Sequence, residues 1–169
     1  MSEVGPQQLA MLLDEHGGAL VLYARQWCSC AEDVVQDALV QLVRQERTPQ
    51  RIVSWLYRVV RNGAISAARA ESRRRHYEAD AAARETAWFT TSEGDRLDAE
   101  VAQAALEQLP SEQRETIVAR LWGGLTFDEI AELTGSSSSS AHRWYEAGLA
   151  ALRQRLGVAC PEKKTKLKT

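Results

Sequence analysis

Gly124-Leu125-Thr126-Phe127-Asp128-Glu129-Ile130-Ala131-Glu132-Leu133-Thr134-Gly135 is the stretch that decides how this chain is read. Thr126 is a good N-cap, and Glu129 three residues later completes a capping box. Ile130, Ala131 and Leu133 supply a buried side. Gly135 can take the left-handed conformation that ends a helix. A second helical pattern starts at about Ser137. Two helices joined by a tight glycine-containing turn outline a helix-turn-helix, which lays its second helix in the DNA major groove.

The bulk numbers are consistent with a small globular protein. The chain has 169 residues, of which 44% are apolar and 26% charged. That is enough for one ordinary domain or two small ones. No apolar run approaches the ~20 residues that span a bilayer. The N-terminus, with Glu3, Asp14 and Glu15, lacks the basic and apolar segments of a secretory signal, so a cytoplasmic location is expected. No alternation of period two is evident, and the expected fold class is all-α.

The net charge of −2 hides a strong segregation. Residues 1–43 carry −5, residues 44–75 carry +7, residues 76–115 carry −7 and residues 116–169 carry +3. This pattern suggests two polyanion-binding parts separated by an acidic connector. Cys28, Cys30 and Cys160 make no disulfide framework, and an odd count without a signal fits reduced thiols. A structural zinc site needs four ligands, and His16, His76 and His142 have no ligand spacing to the cysteine pair. No metal or cofactor is expected. No Gly-rich phosphate loop, metal cluster or nucleophile–base set points to an enzyme.

Along the chain, residues 7–27 read as a helix with Gly17-Gly18 as a break. Residues 31–45 read as a second helix, with Val34, Val35, Ala38, Leu39, Leu42 and Val43 on one broad apolar face. Glu32, Asp33, Gln36, Asp37 and Gln41 lie opposite. A long helix is expected from about Pro49 to Arg75. Ile52, Val53, Leu56, Val59, Val60, Gly63 and Ala67 share one of its faces. Arg51, Trp55, Arg58, Asn62, Ser66, Arg69 and Arg73 share the neighbouring stripe. A mixture of cations, amides and one aromatic suits nucleic acid, because arginine holds phosphates and an aromatic stacks on an exposed base. A solvated arginine face with Trp55 at the core margin has the same spacing.

Residues 76–97 read as an acidic linker. Trp88-Phe89 is unusual within it, and the pair is expected to dock on a flanking domain. Beyond it, Leu97, Val101, Ala105 and Leu109 run at helical spacing up to Pro110. Ser111 then caps a helix that turns Ile117, Val118, Leu121 and Trp122 inward. The last long helix is expected to bury Ala141, Tyr145, Leu149, Leu152 and Leu156. Lys163 to Lys168 form a basic tail.

These parts converge on a family. Asp33-Val34-Val35-Gln36-Asp37, followed by Trp55-Leu56-Tyr57-Arg58-Val59-Val60-Arg61-Asn62, resembles domain two of bacterial sigma factors. Leu106-Glu107-Gln108-Leu109-Pro110-Ser111-Glu112-Gln113-Arg114, followed by Gly124 to Ala131, resembles domain four. The small size is similar to the extracytoplasmic-function class. The resemblance implies domain two over 7–75, a linker over 76–97, domain four over 98–156 and a basic tail over 157–169. It also implies a transcription initiation factor that carries core RNA polymerase to promoter DNA and helps to melt it. Asp33, Gln36, Asp37 and Gln41 would then meet the β′ coiled coil of the polymerase, with the β flap a further contact. Trp55, Arg58, Arg61, Asn62, Arg69 and Arg73 would meet the −10 element. Ser139, Ser140, His142, Arg143 and Trp144 would read the −35 element, with His142 and Arg143 the base-edge readers. Many members are held by an anti-sigma factor, although no residue here identifies one.

Two segments depart from the family pattern. Gln45 to Gln50 is shorter than the loop that captures a flipped base in many members, and it lacks that loop's Gly and aromatic residue. The recognition helix opens on Ser136 to Ser140 instead of lysines and arginines. The alternative reading is an autonomous helix-turn-helix regulator that binds operators as a dimer. It would leave the first half of the chain unemployed.

Overall fold

Seven α-helices and no strand make up the described residues of the computed structural model, which are 4–77, 88 and 96–157. Three belong to the N-terminal half: α1 (Pro6–Ala24), α2 (Ala31–Val43) and α3 (Ile52–Tyr77). Four belong to the C-terminal half: α4 (Arg96–Glu107), α5 (Ser111–Leu121), α6 (Phe127–Thr134) and α7 (Ser138–Leu156). None is long and apolar enough to cross a membrane.

Pro6 sits in the first turn of α1, where its missing N–H costs nothing. The helix runs through Gly17 and Gly18 without the expected break. Each glycine costs a helix about 1 kcal/mol relative to alanine. Burial of Leu20, Leu22 and Tyr23 one turn later outweighs that local cost. In α2 the expected apolar face is buried through Val34, Val35, Ala38, Leu39 and Leu42, whereas Val43 is 49% exposed. The helix packs on both α1 and α3. A Cβ at Gly63 of α3 would stand 3.0 Å from Val34, which lets α2 and α3 approach closely. The buried face of α3 is Leu56, Tyr57, Val60 and Ala64, with Ile52, Val53 and Val59 half-buried at its margin.

The C-terminal helices depart further from their apolar patterns. Ala105 and Leu109 are buried as expected, but Leu106 joins them and Val101 is 49% exposed. The side chain of Leu97 lies outside the described residues. Pro110, not Ser111, is the N-cap of α5, and no side chain closes that helix end. Glu115, Thr116, Ile117, Val118 and Ala119 are all buried, because α5 packs between α7 on one side and α1 on the other. Leu121 and Trp122, expected inside, lie past that double contact and are 52% and 43% exposed. In α7, Ala141 and Gly148 are buried, Tyr145, Leu149 and Leu152 are half-buried, and Leu156 is exposed.

The two halves are not beads on a linker. One hydrophobic cluster runs from Leu20, Tyr23, Val35 and Tyr57 through Trp88 to Leu106, Ile117, Ile130 and Ala141. Helix α1 packs on α5, and α3 packs on α6. Trp88 is buried between the halves, so it docks as expected, but on both flanks at once. Arg25 of the N-terminal half donates to its carbonyl. Gln103 of α4 accepts from its N–H at 2.7 Å, and the Arg114 guanidinium lies 5.7 Å from its ring centre. Phe89, the helical reading of Ala79 to Ala83, the Thr90 to Gly94 stretch and the tail from Lys163 lie outside the described residues.

Gly123, in the turn after α5, meets the N-terminal half most closely. A Cβ there would stand 2.5 Å from both the Ala119 carbonyl oxygen and the Tyr57 hydroxyl. Neither can yield, since one is helix backbone and the other ends a fully buried ring. Gly123→Ala is therefore expected to lower the unfolding free energy by ~1–3 kcal/mol. A reduced urea midpoint would show it. An unchanged midpoint would mean that the turn can move off Tyr57 freely.

Candidate nucleic-acid and partner interfaces

The outer face of α2 follows from its period. With Val34, Val35, Ala38, Leu39 and Leu42 inward, Asp33, Gln36, Asp37 and Gln41 all point to solvent. Asp33 and Glu32 lie in the first turn, where the helix dipole favours negative charge. Arg25 at the end of α1 pairs with Glu32, and this hydrogen bond holds the Glu32 carboxyl below its ordinary range. The pair fixes the start of α2 against α1. Val40 and Val43 are 46% and 49% exposed on the same helix. An apolar rim beside acids and amides suits a protein partner better than a nucleic acid. The 3.6-residue pattern assigned Val43 to the core and gave no sign of this rim.

Helix α3 divides its expected site residues into two groups. Arg58, Asn62, Arg69 and Arg73 are exposed, as is Ser66. Trp55 is half-buried against the core. Arg61 is turned toward the C-terminal half, where its Nε donates to Glu115 Oε1 at 2.6 Å and its Nη2 to Oε2 at 3.4 Å. The same Oε1 accepts from the Tyr23 hydroxyl at 2.6 Å. Burial and the neighbouring carboxylate together push the Tyr23 phenol well above its ordinary range. Closer to the start of α3, Ser54 donates to Glu129 and Arg51 to Glu132, each at 2.6 Å. Arg58, Asn62, Arg69 and Arg73 are thus left open along one face, whereas Arg51, Ser54 and Arg61 hold the C-terminal half.

The helix-turn-helix is built as its sequence demands. Glu129 N–H donates to the Thr126 hydroxyl, and Thr126 N–H donates back to the Glu129 carboxylate at 2.8 Å, closing the capping box. Gly135 has φ 68°, a left-handed position that favours glycine. The serine run is a helix start and not a spacer. Ser136 pairs with Thr134, Ser137 caps α7 by accepting from Ser140 N–H, and Ser138 to Ser140 form the first turn. Ser139, His142 and Arg143 are exposed there, whereas Ser140 and Trp144 are half-buried. Arg143 Nη2 rests on Ser140 Oγ at 3.3 Å. Phe127 supports the surface from below: the His142 ring packs edge-on 5.0 Å away, and the Arg120 guanidinium lies 4.9 Å from its centre. A helix N-terminus lined by hydroxyls, with one arginine and one histidine projecting, suits phosphate and base-edge contact.

Cys28 is buried, and its thiol is pushed up to about 12, chiefly by burial and then by Cys30. It fits an inert packing thiol. The described residues hold no cluster of metal-ligating side chains, and Cys160 lies outside them.

Residues 12–74 match the family model described as Sigma-70 region 2, and residues 99–152 match the one described as Sigma-70, region 4. Over 133 residues the chain is 30% identical to the RNA polymerase sigma factor CarQ of Myxococcus xanthus, covering 75% of each. It is 26% identical to the sigma factor SigV of Bacillus subtilis, covering 69% of this chain and 70% of that one. Among solved structures it is similar to the sigma factor RpoE in complex with the anti-sigma factor NepR from Bartonella quintana. There the TM-score is 0.71 at 24% identity, over 91% of this chain and 97% of that one. It is also similar to CnrH in complex with the cytosolic domain of CnrY, with TM-score 0.61 and 22% identity over 92% of each.

The capping box bears on stability as a function of pH. The Ser54 hydroxyl, the Thr126 hydrogen bonds and Arg51 lower the Glu129 carboxyl from its ordinary 4.5. A depressed carboxyl adds stability above its unfolded value and loses it as pH falls through the folded one. Urea stability is therefore expected to decline from about pH 4.5 downward. Glu129→Gln keeps the cap geometry without the charge, so it should be less stable at neutral pH and flatter through that window. Parallel profiles for the two proteins would remove Glu129 from the acid response.

Proposed function

Because the chain belongs to the sigma-70 family, in its extracytoplasmic-function class, and is a transcription initiation factor that directs RNA polymerase to promoters, we propose how its surfaces divide that work. The N-terminal unit, over 7–75, docks on core polymerase through the polar face of α2. Asp33, Gln36, Asp37 and Gln41 meet the β′ coiled coil, and the exposed Val40 and Val43 add apolar area at the rim. Helix α3 takes the −10 element, with Arg58, Arg61, Asn62, Arg69 and Arg73 on the backbone and Trp55 as a stacking platform during melting. The C-terminal unit, over 98–156, seats the start of α7 on the −35 element through Ser139, Ser140, His142, Arg143 and Trp144. It also contacts the β flap. The factor acts in the cytoplasm, and the chemistry of RNA synthesis belongs to the polymerase. An anti-sigma protein is a further proposed partner, supported by the complexes in which RpoE and CnrH are found.

One observation supports this division best: the polar outer face of α2 and the exposed, hydroxyl-lined first turn of α7 are two separate open surfaces, one in each half of the chain. An autonomous operator-binding regulator would use the second of these and leave the first without a task.

Run-off transcription with core polymerase and genomic promoter fragments tests the whole reading. Asp37→Arg inverts charge on the α2 face and should weaken core binding about tenfold, or ~1.4 kcal/mol. The circular dichroism spectrum should not change. Val35→Asp is the contrast, since a charge in the core unfolds the unit itself. Unchanged core affinity of Asp37→Arg in a pull-down would count against the face.

Arg143→Ala tests the other end. A guanidinium bidentate to guanine discriminates by ~1–3 kcal/mol. The substitution should relax preference at one or two adjacent base pairs in a promoter library. A uniform drop across the library would demote Arg143 to a phosphate contact.

A further inference from the structure

Phe127 opens α6, directly after the N-cap Thr126. The capping box needs only Thr126 and Glu129, so it does not require an aromatic at this position. Phe127 shares its face with Ile130 and Ala131, which are buried, but is itself half-buried. Three groups surround its ring. The His142 ring lies 5.0 Å away at 71°, and the Tyr145 ring lies 5.5 Å away at 65°. The Arg120 guanidinium stands 4.9 Å from its centre. His142 and Tyr145 are three residues apart, one turn of α7 on the same face. Arg120 comes from α5, and its Nη1 also donates to the Leu125 carbonyl at 2.8 Å, in the turn just before the cap. One ring therefore joins α5, α6 and α7.

The axis of α7 has other supports. Ala141 is fully buried, and a Cβ at Gly148 would stand 2.5 Å from Ile117 Cδ1, so small residues let α7 lie close on α5. What Phe127 adds is a constraint on a side chain. An exposed histidine samples several rotamers, and each one excluded before binding lowers the ordering cost of the contact. Edge-on packing against Phe127 restricts the His142 ring in this way. Arg143, the next residue, has a different support, since its Nη2 rests on Ser140 Oγ. The two base-edge readers of α7 are thus oriented by separate neighbours.

We propose that Phe127, braced by Arg120, is a positioning residue for promoter selection: it holds the His142 ring in the orientation in which His142 discriminates a base pair of the −35 element. The proposal rests on the assignment of the first turn of α7 to that element made above. Phe127 touches no DNA in this scheme and acts through His142 alone. Arg120 acts one step further back, because the same guanidinium holds both the ring and the turn that delivers it. Base preference at one position of the promoter is then set partly by α5 and α6, outside the recognition helix.

A promoter library with every base varied across the −35 element, transcribed by core polymerase with the full-length factor, tests it. His142→Ala should lower preference at one or two adjacent base pairs about fivefold or more. Phe127→Leu keeps apolar bulk and removes the ring. It should lower preference about twofold to fivefold at those same base pairs and leave the positions read by Arg143 unchanged. The double variant should be no worse than His142→Ala, since the Phe127 effect passes through that ring. Phe127→Tyr, which restores the ring, should restore the preference. Relaxation of the His142 ring carbons in the free protein should show greater mobility in Phe127→Leu than in the wild type. Arg120→Gln should give a smaller shift at the same base pairs, and it carries the test if Phe127→Leu fails to fold. Additive effects in the double variant overturn the positioning role, as does an equal loss at every library member or an unchanged His142 mobility. If His142→Ala alters no base preference while Arg143→Ala does, His142 is not a reader and the proposal falls with it. If neither alters any, the assignment of α7 to the −35 element itself fails.

Discussion

The Glu115 carboxylate accepts hydrogen bonds from two groups that lie far from it in sequence, Tyr23 on α1 and Arg61 on α3. Taking a carboxylate out of water costs several kcal/mol unless its lone pairs are met, and here both donors come from the other half of the chain. The position of α5 is thereby tied to α1 and α3 together. Once α5 is held, Gly123 must pass close to Tyr57, α6 falls against the start of α3, and α7 packs on the far side of α5. Together with the Ser54–Glu129 and Arg51–Glu132 contacts, that buried group sets where the start of α7 lies relative to α3.

Local rules made much of the fold legible. The capping box at Thr126 and Glu129, the left-handed Gly135 and the Ser137 cap are short-range chemistry, and all three stand where the sequence puts them. The apolar period of α2 is equally clear, because that helix has one neighbouring layer and one free face. The period misleads where a helix is covered on two sides. Helix α5 buries five consecutive residues, including Glu115 and Thr116, and no amphipathic pattern marks that arrangement. Leu121 and Trp122, at the end of that helix, fit the apolar pattern yet lie outside, as do Val101 in α4 and Leu156 in α7. Gly17-Gly18 misled in the other direction, since packing outweighs a weak local preference.

Site residues were legible as types but not as partners. Spacing places Arg58, Asn62, Arg69 and Arg73 on one open stripe. It cannot show that Arg61 belongs to a neighbouring stripe facing another part of the protein. The sequence separation of 54 between Arg61 and Glu115 leaves no local trace. Trp88 is the intermediate case. Its burial was foreseeable from an aromatic pair in an acidic segment, whereas its attachment to both halves required the geometry of Arg25, Gln103 and Arg114.

The shared carboxylate also has a hereditary consequence. The helix assigned to strand separation and the unit assigned to upstream recognition match separate family models and could in principle drift apart. Here a substitution at position 115 strands Arg61 and Tyr23, and one at position 61 strands a buried negative charge. A substitution at position 61 or 115 that retunes one promoter element therefore also carries a cost in stability, unless its partner changes with it. Grafting its C-terminal unit onto the N-terminal unit of a relative would meet the same barrier, unless all three residues travelled together.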